Sequence, residues 1–454
     1  MKRPNKIYVL KGAILFISLL IFACLVLCFY CERTQPSYFP ETFTTSGHWS
    51  KAPKKSIKTA RKKSKEDLSR LMSLSYLQGY VIAPEERNVT AYDVQSAFNG
   101  LNLYISGHAP EAYLMNMQGN VLHQWHYDIS RIWPVKPEGL YGGTYWRWVH
   151  LFENGDLLVL LGSGALGMIK IDKDSNLLWA YRGGCHHAFF IDNDNAIYVL
   201  TQKTRKINDT DSLLDNALTI LTPDGKHVET LSFFDLLNKS PFDSVTREIL
   251  KMAKKKNDFG VGLFKAKEGD VFHANGIYVF DGTFAHLSPL LKKNVAMVNL
   301  RTLGTIMFID LKKKEIIALW GPGVWKRGQH EPAPLSNGNF LIFDNFCKGK
   351  QSCVTEFDPL TKKIIWQYAG GENDFFSPTQ GLGQRLPNGN TLITESTSGR
   401  AFEVTTDKKI VWEFFNPHRT GKKNELIGTL FQMIRLRPNF PTDWLKEKPP
   451  QDAK

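Results

Sequence analysis

The feature that most constrains the fold of this chain is a short apolar run that recurs about every fifty residues and mostly ends in tryptophan. The run ends are Trp125, Trp179, Leu231, Trp320, Trp366 and Trp412. Most runs follow a turn sequence such as Gly119-Asn120 or Asp407-Lys408. Several short strands per repeat at this period are typical of a β-propeller. Six run ends predict an all-β, six-bladed propeller, because a single blade cannot bury both of its faces.

One interval between the runs is longer than the others and contains a predicted helical insertion at residues 233–256. Leu, Phe and Ile recur there at helical spacing, and Ser240-Pro241 marks a break or a helix start. We expect these helices either over one face of the propeller or as decoration on its rim. The propeller itself is expected over residues 100–420, and residues 421–454 are expected to add a closing strand and a tail.

The N-terminus carries an uncharged apolar run at residues 12–30, which is long enough to span a bilayer as a helix. A cleaved signal peptide has a shorter apolar run followed by small residues, whereas this run ends in Cys-Phe-Tyr-Cys. We therefore expect residues 1–31 to be a cytoplasmic stub and an uncleaved transmembrane anchor. Lysine and arginine precede the run, which puts the N-terminus in the cytoplasm and the body of the protein outside.

Residues 32–99 are predicted to link this anchor to the propeller. They include a dense run of lysine and arginine at residues 51–65 and a short amphipathic helix at residues 65–77. The basic run contributes to a formal net charge of +13 over 454 residues. It is typical of a solvated tether, with a membrane-surface or polyanion contact as the alternative. No nucleic-acid recognition fold accompanies it, so we expect no nucleic-acid partner.

The cysteines divide between the anchor and the propeller. Cys24, Cys28 and Cys31 belong to the anchor or its end. Cys347 and Cys353 flank a short loop between two predicted strands. Such a loop fits a disulfide formed in an oxidising compartment, with a pair of free thiols as the alternative.

Polar residues at the starts of inner strands are the candidates for chemistry, because these starts converge at one end of the central channel of a propeller. Four predicted starts carry unusual residues: Cys185-His186-His187, His273-Ala274-Asn275, Gln329-His330 and Thr379-Gln380. One histidine in such a position is commonly structural, but three in three blades indicate a site. A metal site is an alternative that bound-metal analysis would decide, although we expect neither metal nor cofactor. A quinone-cofactor dehydrogenase is disfavoured, because the sequence contains no convincing calcium-ligand cluster.

These motifs resemble those of the arylsulfotransferase family. The resemblance rests on the His-His pair, on His-Ala-Asn at residues 273–275, on a later arginine at a strand end, and on Gln-His before the strand at residues 338–345. It covers roughly residues 104–417 and includes RLPNGNTLITESTSGRAFEVT. The family implies a six-bladed propeller of the bacterial periplasm that moves a sulfuryl group from an aryl sulfate to a phenol. It does so without the nucleotide sulfate donor of cytosolic sulfotransferases. Together with the anchor, the resemblance predicts an inner-membrane protein whose propeller faces the periplasm.

The resemblance also implies the roles of individual residues. His330 takes the place of the nucleophilic histidine, and His273 matches a histidine that contacts the sulfuryl group. Arg301 matches an arginine at the end of the next strand, and His187 matches the remaining channel histidine, with His186 as the alternative register. The sequence departs from the family pattern in the glycine after His-Ala-Asn, in an extra segment before Arg301, and in the leucine and threonine beside it. We expect a ping-pong reaction through a sulfo-histidine, since a neutral imidazole is a competent nucleophile.

The alternative function is a non-catalytic, membrane-tethered propeller that acts as a ligand-binding module or scaffold, because propellers host many unrelated functions. The sequence does not predict an oligomeric state. The aromatic residues Trp146, Trp148, Phe272 and Phe376 lie near the predicted channel starts. They are expected either to stack on an aryl ring or to pack between blades.

Overall fold

The computed structural model describes residues 81–133, 145–162, 167–209, 212–242, 244–245, 247, 268–321, 328–348, 351–370, 375–421 and 423–446. Within these ranges no helix has the length and apolar character needed to cross a membrane. The predicted anchor at residues 12–30, the basic run at residues 51–65 and the amphipathic helix at residues 65–77 lie outside the described residues. Residues 243, 246 and 248–256 of the predicted insertion lie outside them as well.

Six sheets, each built around four antiparallel strands, form the blades, and this confirms the predicted all-β, six-bladed propeller. The first strands are β1 (Asn88–Tyr92), β2 (Asn102–Ser106), β3 (Glu111–Met115) and β4 (Val121–His126). Blade 2 contains β5 (Trp146–Leu151), β6 (Leu157–Leu161), β7 (Met168–Ile171) and β8 (Leu177–Tyr181). Blade 3 contains β9 (Cys185–Ile191), β10 (Ile197–Lys206), β11 (Ser212–Leu221), β12 (His227–Ser232) and the short parallel strand β13 (Glu268–Gly269).

The remaining blades follow in chain order. Blade 4 contains β14 (Ala274–Val279), β15 (Val295–Leu300), β16 (Thr305–Asp310) and β17 (Glu315–Trp320). Blade 5 contains β18 (Gln329–Pro334), β19 (Phe340–Asp344), β20 (Cys353–Phe357) and β21 (Ile364–Tyr368). Blade 6 contains β22 (Leu382–Arg385), β23 (Thr391–Glu395), β24 (Arg400–Val404) and β25 (Ile410–Phe415). The chain then forms a ribbon of β26 (Arg419–Thr420) and β27 (Leu426–Ile427) before β28 (Leu430–Arg435).

The ring is closed at both ends of the chain. β28 pairs with β2 and is the inner strand of blade 1, whose other strands are β3 and β4. β1 pairs with β25 and is a fifth, outermost strand of blade 6. The sequence assigns residues 32–99 to a linker, whereas the structure has β1 inside the propeller.

The recurring tryptophans hold neighbouring blades together, which gives the sequence period its physical cause. The indole N–H of Trp125 donates to the carbonyl of Gly155 in blade 2 at 3.1 Å. The indole of Trp412 in blade 6 likewise donates to the Met117 carbonyl of blade 1 at 2.9 Å. Trp125 and Trp412 are also fully buried. Trp125 and Trp412 therefore form a hydrogen bond to the next blade as well as packing against it.

Two glutamine side chains attach β28 to the blades on either side. Gln384 of β22 donates to the carbonyl of Arg435 at 2.9 Å and accepts from its N–H at 2.8 Å. Gln432 of β28 accepts from the N–H of Val149 at 2.8 Å and donates to its carbonyl at 3.2 Å. Each amide therefore makes the pair of hydrogen bonds to one backbone residue that a neighbouring strand would make. As a result, β28 is hydrogen-bonded to blades 6 and 2 as well as to β2.

A buried ion pair completes this junction. The Arg435 guanidinium donates to Glu403 at 3.0 Å and to Asn102 Oδ1 at 2.5 Å, and also to the carbonyl of Phe98. The side chains of Arg435 and Glu403 are both 0% exposed. Glu403 further accepts from the side chain of Asn390 at 2.7 Å. We call Arg435, Glu403, Gln384 and Gln432 the closure junction.

The described part of the insertion begins with helix α1 (Phe233–Asn238). Ser232 caps it by accepting from the N–H of Asp235 at 3.1 Å. Arg205 bridges Asp215 at 2.8 Å and Asp235 at 2.6 Å. Phe233 is fully buried in a core shared by blades 3 and 4. This first helix is therefore part of the wall between two blades.

Candidate active site

Irregular backbone at the starts of the inner strands creates a ring of polar residues at one end of the channel. Register shifts interrupt the pairing of β9, β14 and β18 at these starts. Four non-glycine residues there have positive φ: His187 (60°), His273 (47°), Glu331 (45°) and Gln380 (60°). This backbone conformation is strained for residues with a Cβ, and such strain concentrates at functional sites. We call this end of the channel the channel mouth.

His330 is held in one tautomer by its neighbours. Its Nδ1 lies 2.6 Å from Oδ1 of Asn345. The amide nitrogen of Asn345 donates to the carbonyls of Ser377 at 2.6 Å and Gln380 at 2.5 Å. Since only the amide NH₂ can donate to two carbonyls, Oδ1 must accept from His330 Nδ1–H. The Nε2 atom of His330 therefore carries the free lone pair.

The surroundings of His330 also keep it uncharged. Burial lowers the pKa of His330 well below its ordinary value, and the positive charge of Arg301 lowers it further. Arg147 and His273 act in the same direction, against the hydrogen bond of Asn345. A buried, neutral imidazole whose Nε2 is unprotonated is the form of histidine that attacks an electrophile.

His186 and His187 lie beside this group on β9. Their Nδ1 atoms are 2.8 Å apart, so one imidazole donates to the other. The His187 ring meets the His273 ring edge-to-face, with ring centroids 4.7 Å apart. Burial lowers the pKa of His186 to about 4 and that of His187 well below its ordinary value, and the charge of His273 also lowers the latter. His187 thus joins the channel group directly, while His186 supports it from behind.

His273 is oriented by a carboxylate that sequence reasoning missed. Its Nδ1 lies 2.6 Å from Asp270 Oδ2, and its backbone N–H donates to Asp270 Oδ1 at 3.1 Å. Burial alone would raise the pKa of Asp270, but the charge and hydrogen bond of His273 outweigh it and lower the pKa. The Asp270 carboxylate therefore fixes the orientation of the His273 ring.

Two arginines add fixed positive charge. Arg301 directly follows β15, and its backbone N–H donates to the carbonyl of His273 at 3.2 Å. Arg147 lies in the bulge of β5, and its guanidinium carbon is 5.2 Å from the ring centroid of Phe431. Its charge lowers the pKa of His187 and of His330, which places it near both. The site can therefore neutralise a multiply oxygenated anion from two sides.

All five residues predicted from the sequence, namely His186, His187, His273, Arg301 and His330, lie at the channel mouth. The sequence did not identify Asp270, Arg147 or Glu331 as part of it. The sequence does contain a signal that could have identified Arg147. This residue follows Trp146 at the start of an inner strand, which is the position that the histidines occupy in blades 3 to 5. In the described part of the chain no group of three or more His, Cys, Asp or Glu side chains is arranged to hold a metal ion.

The other sequence candidates surround the site. Trp146 and Phe272 are fully buried in blade cores. Of the two expected roles, these residues therefore have the packing role. A disulfide joins Cys347 and Cys353 in the turn that follows β19. In that turn Ser352 Oγ donates to the carbonyl of Asn345 at 3.1 Å. The disulfide therefore closes the loop that presents Asn345 to His330.

Comparison with known proteins agrees with the family resemblance seen in the sequence motifs. The sequence profile described as Arylsulfotransferase (ASST) matches residues 149–417, a range that contains all five predicted residues. No curated protein sequence gives a significant match.

Solved structures with a similar fold include a protein of unknown function from Bacteroides caccae. It has a TM-score of 0.46 and 14% identity, over 74% of this chain and 98% of that chain. A streptogramin B lyase gives a TM-score of 0.39 and 12% identity, over 78% of this chain and 93% of that one. A catalytically inactive virginiamycin B lyase from Staphylococcus aureus with quinupristin gives 0.36 and 10%, over 62% and 72%.

Proposed function

Because the chain belongs to the arylsulfotransferase family, we propose that it moves a sulfuryl group from an aryl sulfate donor to a phenolic acceptor, with His330 as the carrier. No nucleotide sulfate takes part in this reaction. The observation that carries the proposal is the fixed tautomer of His330, whose Nδ1–H is bound to Asn345 at 2.6 Å. A neutral imidazole whose Nε2 lone pair is free can act as the nucleophile without first losing a proton.

The reaction has two half-reactions. In the first, His330 Nε2 attacks sulfur, the bond between sulfur and the aryl oxygen breaks, and its electron pair leaves with the phenolate. In the second, the acceptor oxygen attacks sulfur, and the electron pair of the N–S bond returns to Nε2. Splitting the transfer in this way lets donor and acceptor use the same pocket in turn.

The arginines and the other histidines of the channel mouth are proposed to supply the rest of the catalysis. Transfer of such a group needs little covalent help and depends on positioning and on charge neutralisation. Arg301 is a permanent cation beside His330, and His273 is backed by Asp270 at 2.6 Å. These groups, with His187, are proposed to hold the non-transferred oxygens of the sulfuryl group.

The test is turnover of 4-nitrophenyl sulfate with phenol by the full-length chain in detergent. We expect nitrophenolate release that depends on phenol, and a mass increase of one sulfuryl group on the peptide that contains His330. His330→Ala should abolish both. His227→Ala, on the exposed outer strand of blade 3, is the matched control and should change neither. A folded protein that releases no phenolate from any aryl sulfate would instead support a ligand-binding propeller.

The location of the protein is a separate proposal. An N-terminal anchor would hold the propeller on the periplasmic side of the inner membrane, and the support for this is the uncharged run at residues 12–30 with basic residues before it. Alkaline extraction should leave the full-length chain in the membrane pellet, and protease added to spheroplasts should digest the propeller. Release of the chain by alkali would contradict the anchor.

A further inference from the structure

We propose that Glu331 is the proton-transfer group of the second half-reaction, in which it takes the proton of the acceptor hydroxyl as that oxygen attacks the sulfo-histidine. This role rests on the proposed function. It assigns chemistry to a residue that neither the sequence motifs nor the family resemblance identified. It also fills a gap, because a hydroxyl cannot displace His330 from sulfur without losing its proton at some point.

The backbone places Glu331 directly beside His330. It directly follows His330 and lies in the bulge where the pairing of β18 with β19 is interrupted. Its φ of 45° matches the positive φ of His187 and His273 at the corresponding starts of blades 3 and 4. Of these three strained positions, two carry histidines predicted to bind the sulfuryl group, and the third carries a carboxyl.

Close packing from blade 4 fixes this conformation. A Cβ on Gly276 would lie 3.1 Å from Glu331 Cα and 3.2 Å from its backbone nitrogen. The absence of that Cβ lets β14 approach the bulge until the two backbones nearly touch. The position of Glu331 is therefore set by backbone contact, which is more rigid than a side-chain contact.

The charged group that acts directly on Glu331 is Arg147 of β5, whose charge opposes the effect of burial on the carboxyl. Arg147 also lowers the pKa of the preceding residue, His330, together with Arg301 at the end of β15 and His273 before β14. Burial raises the pKa of Glu331 to about 8, and Arg147 limits the rise. A carboxyl in this range can both accept and release a proton near neutral pH.

The other groups at the channel mouth are less suited to this step. His330 bears the sulfuryl group, and the pKa of His187 is well below its ordinary value. His273 uses Nδ1 to bind Asp270. The arginines do not exchange protons at any working pH.

The proton balance closes over successive cycles. Glu331 starts as a carboxylate, and the acceptor O–H bond breaks as its proton moves to a carboxylate oxygen. The acceptor oxygen forms the new O–S bond, and the N–S bond breaks. In the next cycle, the protonated carboxyl can give its proton to a departing phenolate that is too basic to leave alone. The net reaction moves one sulfuryl group and one proton between the two phenols.

The test separates the half-reactions in the Glu331→Gln variant, which keeps the size and polarity of the side chain. With 4-nitrophenyl sulfate, whose phenolate leaves without a proton, the burst of nitrophenolate and the sulfo-peptide should form at the wild-type rate. Transfer from that intermediate to phenol should slow by about 100-fold or more. In the wild type this transfer rate should rise with pH through about 8, where the carboxyl ionises, and the rise should vanish in the variant.

Two comparisons complete the design. Glu229→Gln, which removes a carboxyl paired with Lys314 at 2.5 Å on the outer surface, should leave both half-reactions unchanged. Glu331→Asp should restore the pH dependence in part. A Glu331→Gln variant with the wild-type transfer rate and pH profile would overturn the role of Glu331 while the proposed function stands. Absence of any sulfo-peptide in the wild type would overturn the proposed function itself.

Discussion

At the closure junction the guanidinium of Arg435 is fully buried and bonded to Glu403 and Asn102, whereas at the channel mouth Arg147 has no ion-pair partner within the described residues. At the closure junction the positive charge of Arg435 is paired with the negative charge of Glu403. The mouth brings Arg147, Arg301 and the imidazoles of His187, His273 and His330 together, and burial, reinforced by the neighbouring positive charges, lowers the pKa of His187 and of His330.

The backbone is also regular at the closure junction and strained at the channel mouth. β28 at the junction is bonded through its own ladder and through the amides of Gln384 and Gln432. The starts of blades 3 to 6 at the mouth have positive φ at non-glycine residues. The polar residues of the closure junction stabilise the fold. Those of the channel mouth are held in a strained conformation that costs stability, and the positive charge of Arg147 there can bind an anionic ligand.

The largest expected effect is on stability and comes from the junction. Glu403→Ala leaves the Arg435 charge buried and unpaired, so the free energy of unfolding should fall by about 3–5 kcal/mol. Urea denaturation followed by tryptophan fluorescence measures this change. Turnover per folded molecule should stay at the wild-type value. A loss of turnover with unchanged stability would erase the distinction between the two regions.

The next effect is on activity and comes from the mouth. Asn345→Ala removes the acceptor that fixes the tautomer of His330, so kcat should fall by about 10- to 100-fold, as for other groups that orient a reactive histidine. Steady-state release of nitrophenolate measures it. Asn390→Ala is the matched control, because it removes an equally buried amide that binds Glu403. It should lower stability and leave kcat alone.

The disulfide between Cys347 and Cys353 is expected to affect both the stability of the fold and turnover. Replacing Cys347 and Cys353 by serine together should lower the free energy of unfolding by about 2 kcal/mol. Turnover should fall as well, because the same loop presents Asn345 through Ser352. Added reductant should slow the wild type and leave the double variant unaffected. Equal responses of the two proteins to reductant would mean that the loop holds Asn345 without the disulfide.

The smallest effect is the release of backbone strain. Gln380→Gly should stabilise the fold by about 1 kcal/mol, because glycine accepts a φ of 60° without penalty. It should also lower turnover, since Asn345 is anchored on the Gln380 carbonyl. Lys408→Gly, at a φ of 74° in an exposed turn of blade 6, should stabilise similarly with no change in turnover. Denaturant midpoints and kcat for both variants give the comparison.

The sequence predicts the blades because the cause of the pattern is local. Five of the six repeats end in a tryptophan, and such a residue bonds or packs against the next blade, as Trp125 and Trp412 do, so the repeat is visible without any structure. The site histidines are predictable for a related reason, since they stand at the starts of inner strands.

The parts that escape prediction depend on contacts between distant residues. Asn102 and Arg435 are separated by 333 residues, and β1 pairs with β25 from the opposite end of the chain. Glu331 is inconspicuous in the sequence, because its environment is made by the bulge and by Arg147 across the channel. Local patterns therefore identify the blades and the histidines, while the ring closure and the proton-transfer carboxyl require coordinates.

The double closure of the ring also determines when the protein can begin to work. A ribosome that adds about 5–20 residues per second completes β2 roughly 20–70 s before β28, given the 333 residues between Asn102 and Arg435. During that interval blade 1 lacks its inner strand and the channel has an open wall. The pocket around His330 is therefore enclosed only after translation of the last strand. A nascent chain that carries every site residue should still be inactive.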